Sequence, residues 1–384
     1  MTQSFDVARE IEARVRAIAG QGELPLHVPH ADPRNSHFVT RALETSGISV
    51  DEGIIRELAS ELGEIVVGTP PVLTSSGTAA LHLALLSVGV SPGSKVVCPA
   101  ISFVATVNSI LYCGAYPEFV DVDADDSALS PVGLRAFLEG KSSTNSDFKP
   151  GHPDFPKAIV AVSVFGLVPK VDALELIAQE FSIPLVIDGA GALGSASESK
   201  SLLMRGDVAI ASFNGNKIVT AGGGGAVFSN SRQILETCRH LSKVAKIPHT
   251  FEYEHDQLGF NYRMPAINAA LLMDQLSRFS EILNKKRALH ESYVEAFRDF
   301  DLDFFDDRIG TRSNYWLNSA RFKSVPVDHV CSYLNNKGVG ARRLWKPLPS
   351  LPHLSKFGRG NKFPVADSLY KSTLSLPSSY NLGN

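Results

Sequence analysis

The sequence predicts an α/β fold, a mostly parallel sheet covered by helices, with a smaller α+β unit after it. Three observations carry this. Short apolar runs alternate with helical segments across the first two thirds of the chain, and IVVGTPPVLTSSGTAALHLALLSVGV reads as strand, turn and helix; from about Ser277 the alternation gives way to a long helical pattern. Strands linked by helices run parallel and are buried on both faces, so they read as continuous apolar runs.

Taken in order, an amphipathic opening helix is followed by IIRELASELG, a helix that ends at a glycine. The apolar runs KVVCPA, PEFVDVD, AIVAVSVFG, PLVIDGAGA, DVAIASF and GAVFSN are strands, with VDALELIAQEF a helix among them. KSSTNSDFKPGHPDFPK is rich in Ser, Pro and Asp and reads as a surface loop. Then come the long helix LSRFSEILNKKRALHESYVEAF, strands near WLNSARF and a second helix near VDHVCSYLNNKG. The expected division is a large domain over residues 1–276, opening helix included, and a small α+β domain over 277–384. No internal repeat or low-complexity tract interrupts it.

A chain of 384 residues can bury a large core and house an enzyme. A net charge of −3 gives no basic footprint for nucleic acid. Cys98, Cys113, Cys238 and Cys331 form no C-x-x-C pair, so reduced thiols are expected, with neither a disulfide framework nor a metal site. The N-terminal stretch lacks a basic region followed by an apolar one, and no run of eighteen apolar residues occurs. A cytoplasmic protein without a membrane partner is the expectation.

Chemistry concentrates in three places. In TSSGTAALHLAL a turn of small residues, with Gly77 and Thr78, feeds a helix whose free N–H groups can hold an anion; Ser and Thr there also serve as plain N-caps. PLVIDGAGALGS is a strand ending at Asp188, where α/β proteins place ligand-binding acids; a helix cap or a magnesium ligand fits the same pattern. In SFNGNKIVTAGGGG, Lys217 stands among small or polar residues that leave room for a planar ligand, as well as being readable as a solvated lysine beside a flexible loop. An amine so placed can form a Schiff base. Pyridoxal phosphate asks for four things: such a lysine, an anion site, a carboxylate for its ring nitrogen and a flat group against its ring. Lys217, then Gly77 and Thr78 with Ser212, then Asp188, then Phe103 can supply them in turn.

The chain order of these elements is that of fold type I pyridoxal-phosphate enzymes. SSGTAALHLAL, SFNGNK followed by GGGG, LGFNYRMPAINAAL, SNYWLN and RLWKPL together resemble the DegT/DnrJ family of nucleotide-sugar aminotransferases, from about Leu24 to Leu382. SFNGNKIVTAGGGG and VAKIPHTFEYEHDQLGFNYRM most resemble the branch that aminates UDP-linked 4-keto-6-deoxy-N-acetylhexosamines. The resemblance implies a large domain with a mostly parallel seven-stranded sheet and a smaller C-terminal domain. It implies a homodimer with shared sites, a nucleotide-linked keto sugar and L-glutamate as substrates, and surface-polysaccharide or deoxyamino-sugar synthesis as the setting. Lys217 and Asp188 would be catalytic, Phe103 would stack on the ring, and Gly77, Thr78 and Ser212 would bind the phosphate. Asn261 of GFNYRM would reach that phosphate from the partner subunit, besides being readable as a cap on the helix that follows.

Two positions depart from the family. Three residues after the acid, where Gln, His or Glu usually lies by the ring hydroxyl, this chain has Gly191; after W-x-P-L it has Pro349 where His is frequent. A dehydratase of the same fold would carry histidine in place of Lys217, which disfavours that reading. A non-catalytic homologue is encouraged by Gly191 but not by the joint presence of Lys217, Asp188 and Ser212. A nicotinamide enzyme lacks its G-x-G-x-x-G turn.

Overall fold

Strands made of Val, Ile, Leu and Ala need cover on both faces, and the central sheet has it. It consists of β1 (Val72–Thr74), β2 (Lys95–Pro99), β3 (Tyr116–Val120), β4 (Pro156–Val162), β5 (Leu185–Asp188), β6 (Val208–Ser212) and β7 (Gly225–Phe228). These belong to a computed structural model that describes residues 2–29, 36–44, 48, 51–144 and 147–382. The strand order is β1-β7-β6-β5-β4-β2-β3. All strands run parallel except β7, which is antiparallel to both β1 and β6. The α/β class and mostly parallel seven-stranded sheet expected from the sequence are therefore present.

The period of two along each strand divides the core into two layers. Ile159, Ala161, Leu185, Ile187, Ala209 and Ala211 join one buried cluster. Ala158, Val160, Val162, Val186, Val208 and Ile210 join the other. Helix α2 (Gly77–Ser87) follows β1 and is apolar nearly all round, with Ala79 to Leu85 buried, as a helix packed into the interior must be.

A second, antiparallel sheet is built from β8 (Leu302–Phe304), β9 (Asn318–Phe322), β10 (Arg342–Arg343) and β11 (Thr373–Leu376), in the order β8-β9-β11-β10. Helices α3 (Phe279–Ala296) and α4 (Val327–Asn336) accompany it. The opening helix α1 (Thr2–Ala19) packs here too: Ala8, Ile11 and Val15 share a buried cluster with Leu289, Tyr293, Val330 and Leu334. After α1 the chain is tied to the same unit, with the Ser378 N–H donating to the Leu26 carbonyl at 2.6 Å and the Val28 N–H to Ser379 Oγ at 2.9 Å.

One expected loop is partly helical. The helix Pro131–Thr144 runs into KSSTNSDFKPGHPDFPK, because Lys141 to Thr144 continue its last turn, with Ser143 Oγ donating to the Gly140 carbonyl. Residues 145 and 146 lie outside the described residues, and 147–155 form turns. The thiols of Cys98, Cys113, Cys238 and Cys331 are all free, the first three buried.

Candidate active site

Parallel strands bring their carboxyl ends to one edge, and ligands of open α/β sheets bind there. Asp188 ends β5, Ser212 ends β6, and Gly77 opens α2. Together they line a cavity of about 600 Å³, along with Thr78, Phe103 and Lys217. Six of the seven site residues expected from the sequence thus share one cavity. The seventh, Asn261, does not line it; it is exposed, in an isolated bridge with Lys243.

The anion end is formed by close approach. A Cβ on Gly77 would fall 2.7 Å from Ser212 Cβ and 2.9 Å from Ser212 Oγ, so any side chain at 77 would close the gap between α2 and β6. Ser76 is the N-cap of α2, its Oγ accepting from the Ala79 N–H at 3.1 Å. The amides of Gly77 and Thr78 are left without a partner among the described residues, which is what an anion at a helix N-terminus requires. Capping falls to Ser76, which leaves the adjacent amides of Gly77 and Thr78 free to hold an anion.

At the far end Asp188 is 6% exposed. Its carboxylate accepts from Thr106 Oγ1 at 2.7 Å and from the Ala190 N–H at 3.2 Å. Burial pushes its carboxyl above the ordinary range, while those two donors and the Lys217 charge act in the opposite sense. A carboxylate fixed in this way suits a cationic ring nitrogen.

The Lys217 loop is anchored rather than flexible. Phe213, Ile218, Val219 and Ala221 are buried, the Phe213 N–H donates to the Gly224 carbonyl at 2.9 Å, and Asn268 Nδ2 donates to the carbonyls of Ala221 and Gly223. Lys217 as a residue is half-buried, but its amine is enclosed. Burial lowers that amine to about 8, against the pull of Asp188. Phe103, 58% exposed, stands at the cavity with its ring 6.3 Å from Trp345.

Sequence reading did not single out Trp316, Thr106, His27, Arg342 or Arg343, all of which line the cavity. The Trp316 ring centroid lies 3.5 Å from Lys217 Nζ, and its indole N–H donates to the Asn216 carbonyl at 2.7 Å. A Cβ on Gly191 would come 2.7 Å from Trp316 Cε3. The departure at Gly191 therefore has a steric cause: the indole occupies the room that a side chain there would need. Asn314, fully buried, secures this contact by donating to the Gly191 and Leu193 carbonyls and accepting from the Trp316 N–H. The SNYWLN motif was the available signal, but its packing against Gly191 is a contact across more than a hundred residues.

These residues fit pyridoxal phosphate: a helix N-terminus whose gap one added Cβ would fill, a buried carboxylate and a desolvated amine, all at one cavity. Fold and site together define a pyridoxal-phosphate-dependent transferase of fold type I. Residues 31–384 match the DegT/DnrJ/EryC1/StrS aminotransferase family, and the chain belongs to it. Its relatives include EpsN of Bacillus subtilis (strain 168), provisionally named a pyridoxal phosphate-dependent aminotransferase, 31% identical over 93% of this chain and 91% of that one. The GDP-perosamine synthase of Vibrio cholerae is 28% identical over 92% of this chain and 94% of that one. The crystal structure of a DegT/DnrJ/EryC1/StrS aminotransferase from Brucella abortus superposes with a TM-score of 0.83 at 25% identity, covering 91% of each chain. The chain is an aminotransferase with pyridoxal phosphate as its cofactor.

Proposed function

We propose that this enzyme moves the amino group of L-glutamate to a nucleotide-linked keto sugar, delivering it to C4 of a UDP-linked 4-keto-6-deoxy-N-acetylhexosamine. The observation that carries the transamination is the enclosure, in one cavity, of the Lys217 amine, the Asp188 carboxyl and the unpartnered amides of Gly77 and Thr78. Bound there, pyridoxal phosphate supplies the electron sink for a carbon that gives up its proton. Lys217 takes the Cα proton of glutamate in the first half-reaction and delivers a proton to the sugar carbon in the second. Asp188 holds the proton on the ring nitrogen, Gly77, Thr78 and Ser212 hold the phosphate, and Phe103 covers the ring. Arg342 supplies positive charge at the same cavity for the carboxylates or the diphosphate, whereas Arg343 beside it is ion-paired with Asp328.

The sugar class has support in relatives named GDP-perosamine synthase and UDP-2-acetamido-2-deoxy-3-oxo-D-glucuronate aminotransferase. Those names differ in nucleotide, and the second specifies a 3-oxo sugar, so the choice of UDP and C4 rests on the resemblance around Lys217 and Asn261. A panel of nucleotide keto sugars, with glutamate as donor, decides it. Fastest turnover is expected with the UDP-4-keto-6-deoxy-N-acetylhexosamine; preference for a dTDP-3-keto sugar would refute the branch and spare the class.

The proposal includes a homodimer, in which Asn261 reaches the partner's phosphate. Its exposure outside its own cavity supports this, as do Phe251, Tyr253 and Leu258, large apolar side chains exposed on the segment just before it. Mixing tests it. Lys217→Ala and Asn261→Asp subunits should each be weak alone, but a mixed dimer has one site with both lesions and one with neither. Half the dimers are mixed after random exchange, so about a quarter of wild-type activity should return. No recovery after verified exchange would assign Asn261 to its own subunit. Division into cofactor-binding and C-terminal units near residue 276 and a cytoplasmic location belong to the same proposal; no helix among the described residues is long and apolar enough to cross a membrane.

A further inference from the structure

His27 is a buried polar side chain of the cavity to which the reaction gives no task. It sits on the segment that Ser378 and Ser379 tie to the C-terminal unit, it is 8% exposed, and it lines the active-site cavity. Neither Nδ1 nor Nε2 has a hydrogen-bond partner among the described residues. Burying both nitrogens unpaired is unfavourable, and such a group in a cavity wall points to a partner that arrives with a ligand. The imidazole is held neutral: burial lowers its pKa well below the ordinary value, and the amines of Lys286 and Lys217 act in the same direction. The Asn216 carbonyl, near the ring but outside hydrogen-bond geometry, acts against them. The ring therefore keeps one N–H to give.

The cofactor's own chemistry says which atom lacks a donor. The ring nitrogen and C4 are opposite corners of the pyridine, matched here by Asp188 and Lys217. The phosphate arm leaves the carbon on one side of C4, the side of Gly77, Thr78 and Ser212. The 3-oxygen leaves the carbon on the other side of C4, and with the phosphate held at Gly77, Thr78 and Ser212 it would lie on the side of Gly191, where the family motif places its contact. Gly191 has no side chain and no room for one, and the Trp316 indole N–H is already given to the Asn216 carbonyl. Other hydroxyls of the cavity are spent inside the protein: Ser163 on the Leu167 carbonyl, Thr106 on Asp188, Ser375 on Ser319.

We propose that His27 donates a hydrogen bond to the 3-oxygen of the bound cofactor, the contact for which Gly191 has no side chain. The inference rests on the cofactor site described above and is separable from the choice of sugar. It requires no proton transfer, only a neutral imidazole N–H facing an oxygen that carries negative charge when the lysine imine is unprotonated. A donor stabilises that charge and so favours the unprotonated imine. Removing the donor must raise the imine's pKa.

The test is a pH titration of the visible band of the loaded wild-type, His27→Phe and His27→Gln proteins. The midpoint should rise by about one to two pH units in His27→Phe, the worth of a hydrogen bond to a charged group. It should stay near wild type in His27→Gln, whose amide can donate instead. An unmoved midpoint in a folded His27→Phe protein overturns the inference, and a raised KM for the keto sugar alone would assign the imidazole to the substrate. Absence of a visible band in loaded wild-type protein would overturn it together with the cofactor site. A crystal structure of the loaded wild-type enzyme tests it without substitution. An imidazole nitrogen within about 3.2 Å of the 3-oxygen supports the proposal; a 3-oxygen bonded only to water or to another residue overturns it.

Discussion

Lys217→Ala should abolish transamination while leaving the protein folded. The wild-type protein should be yellow when loaded, and glutamate should bleach the band; the variant should show no such exchange. Two contributions vanish together, the covalent attachment and the positioned base, and the base alone is worth about a hundred- to ten-thousand-fold. Stability should change little, because Lys217 is half-buried and its neighbours Ile218 and Val219 anchor the loop. The wild-type amine carries a signature of its own. Burial lowers it to about 8, so its neutral, nucleophilic fraction grows as pH rises through that value, and loading of the cofactor-free protein should accelerate over the same interval. Turnover of a keto sugar by Lys217→Ala at the wild-type rate would remove this lysine from the mechanism, and a flat pH dependence of loading would contradict the lowered amine.

How much of this was legible in the sequence varies with the range of the contacts involved. The strands were legible because both faces are buried: PLVIDGAGA and DVAIASF contain few polar residues to confuse the pattern, and each end is marked by Asp188 or by Ser212. Asp188, Gly77 and Thr78 could be read because each lies at a strand end or helix start, and Lys217 because it stands alone in a loop between a strand and a run of glycines. Trp316 and His27 could not. Trp316 reaches the cavity because Asn314 bonds to the carbonyls of Gly191 and Leu193. His27 reaches it because Leu26 and Val28 pair with residues some 350 positions away. Nothing local distinguishes that histidine from any other. Gly191 looked like a defect when compared with the family motif alone, and its packing against the indole turns the defect into a fit.

Asp188→Asn should reduce turnover by about a hundred- to a thousand-fold, the usual cost of removing one fixed electrostatic partner from a site of this kind. The carboxylate is desolvated, and Thr106 and Ala190 both donate to it, so it faces the cavity as a charge acceptor that cannot turn away. An amide of the same shape can still accept from Thr106, but it presents N–H toward the ring nitrogen and leaves that nitrogen unprotonated. The electron sink then weakens at the step where the Cα proton departs. Cofactor affinity should fall by no more than about tenfold, a factor equal to 1.4 kcal/mol, because the amides of Gly77 and Thr78 and the Ser212 hydroxyl are untouched. A second consequence separates this reading from a simple loss of folding. The Asp188 charge raises the pKa of the Lys217 amine, so its removal should carry that amine below its wild-type value of about 8, shifting the pH dependence of cofactor loading toward lower pH. Unchanged turnover accompanied by loss of bound metal would instead make Asp188 a metal ligand, and a loading profile that moves to higher pH would show that Asp188 does not act on Lys217 through its charge.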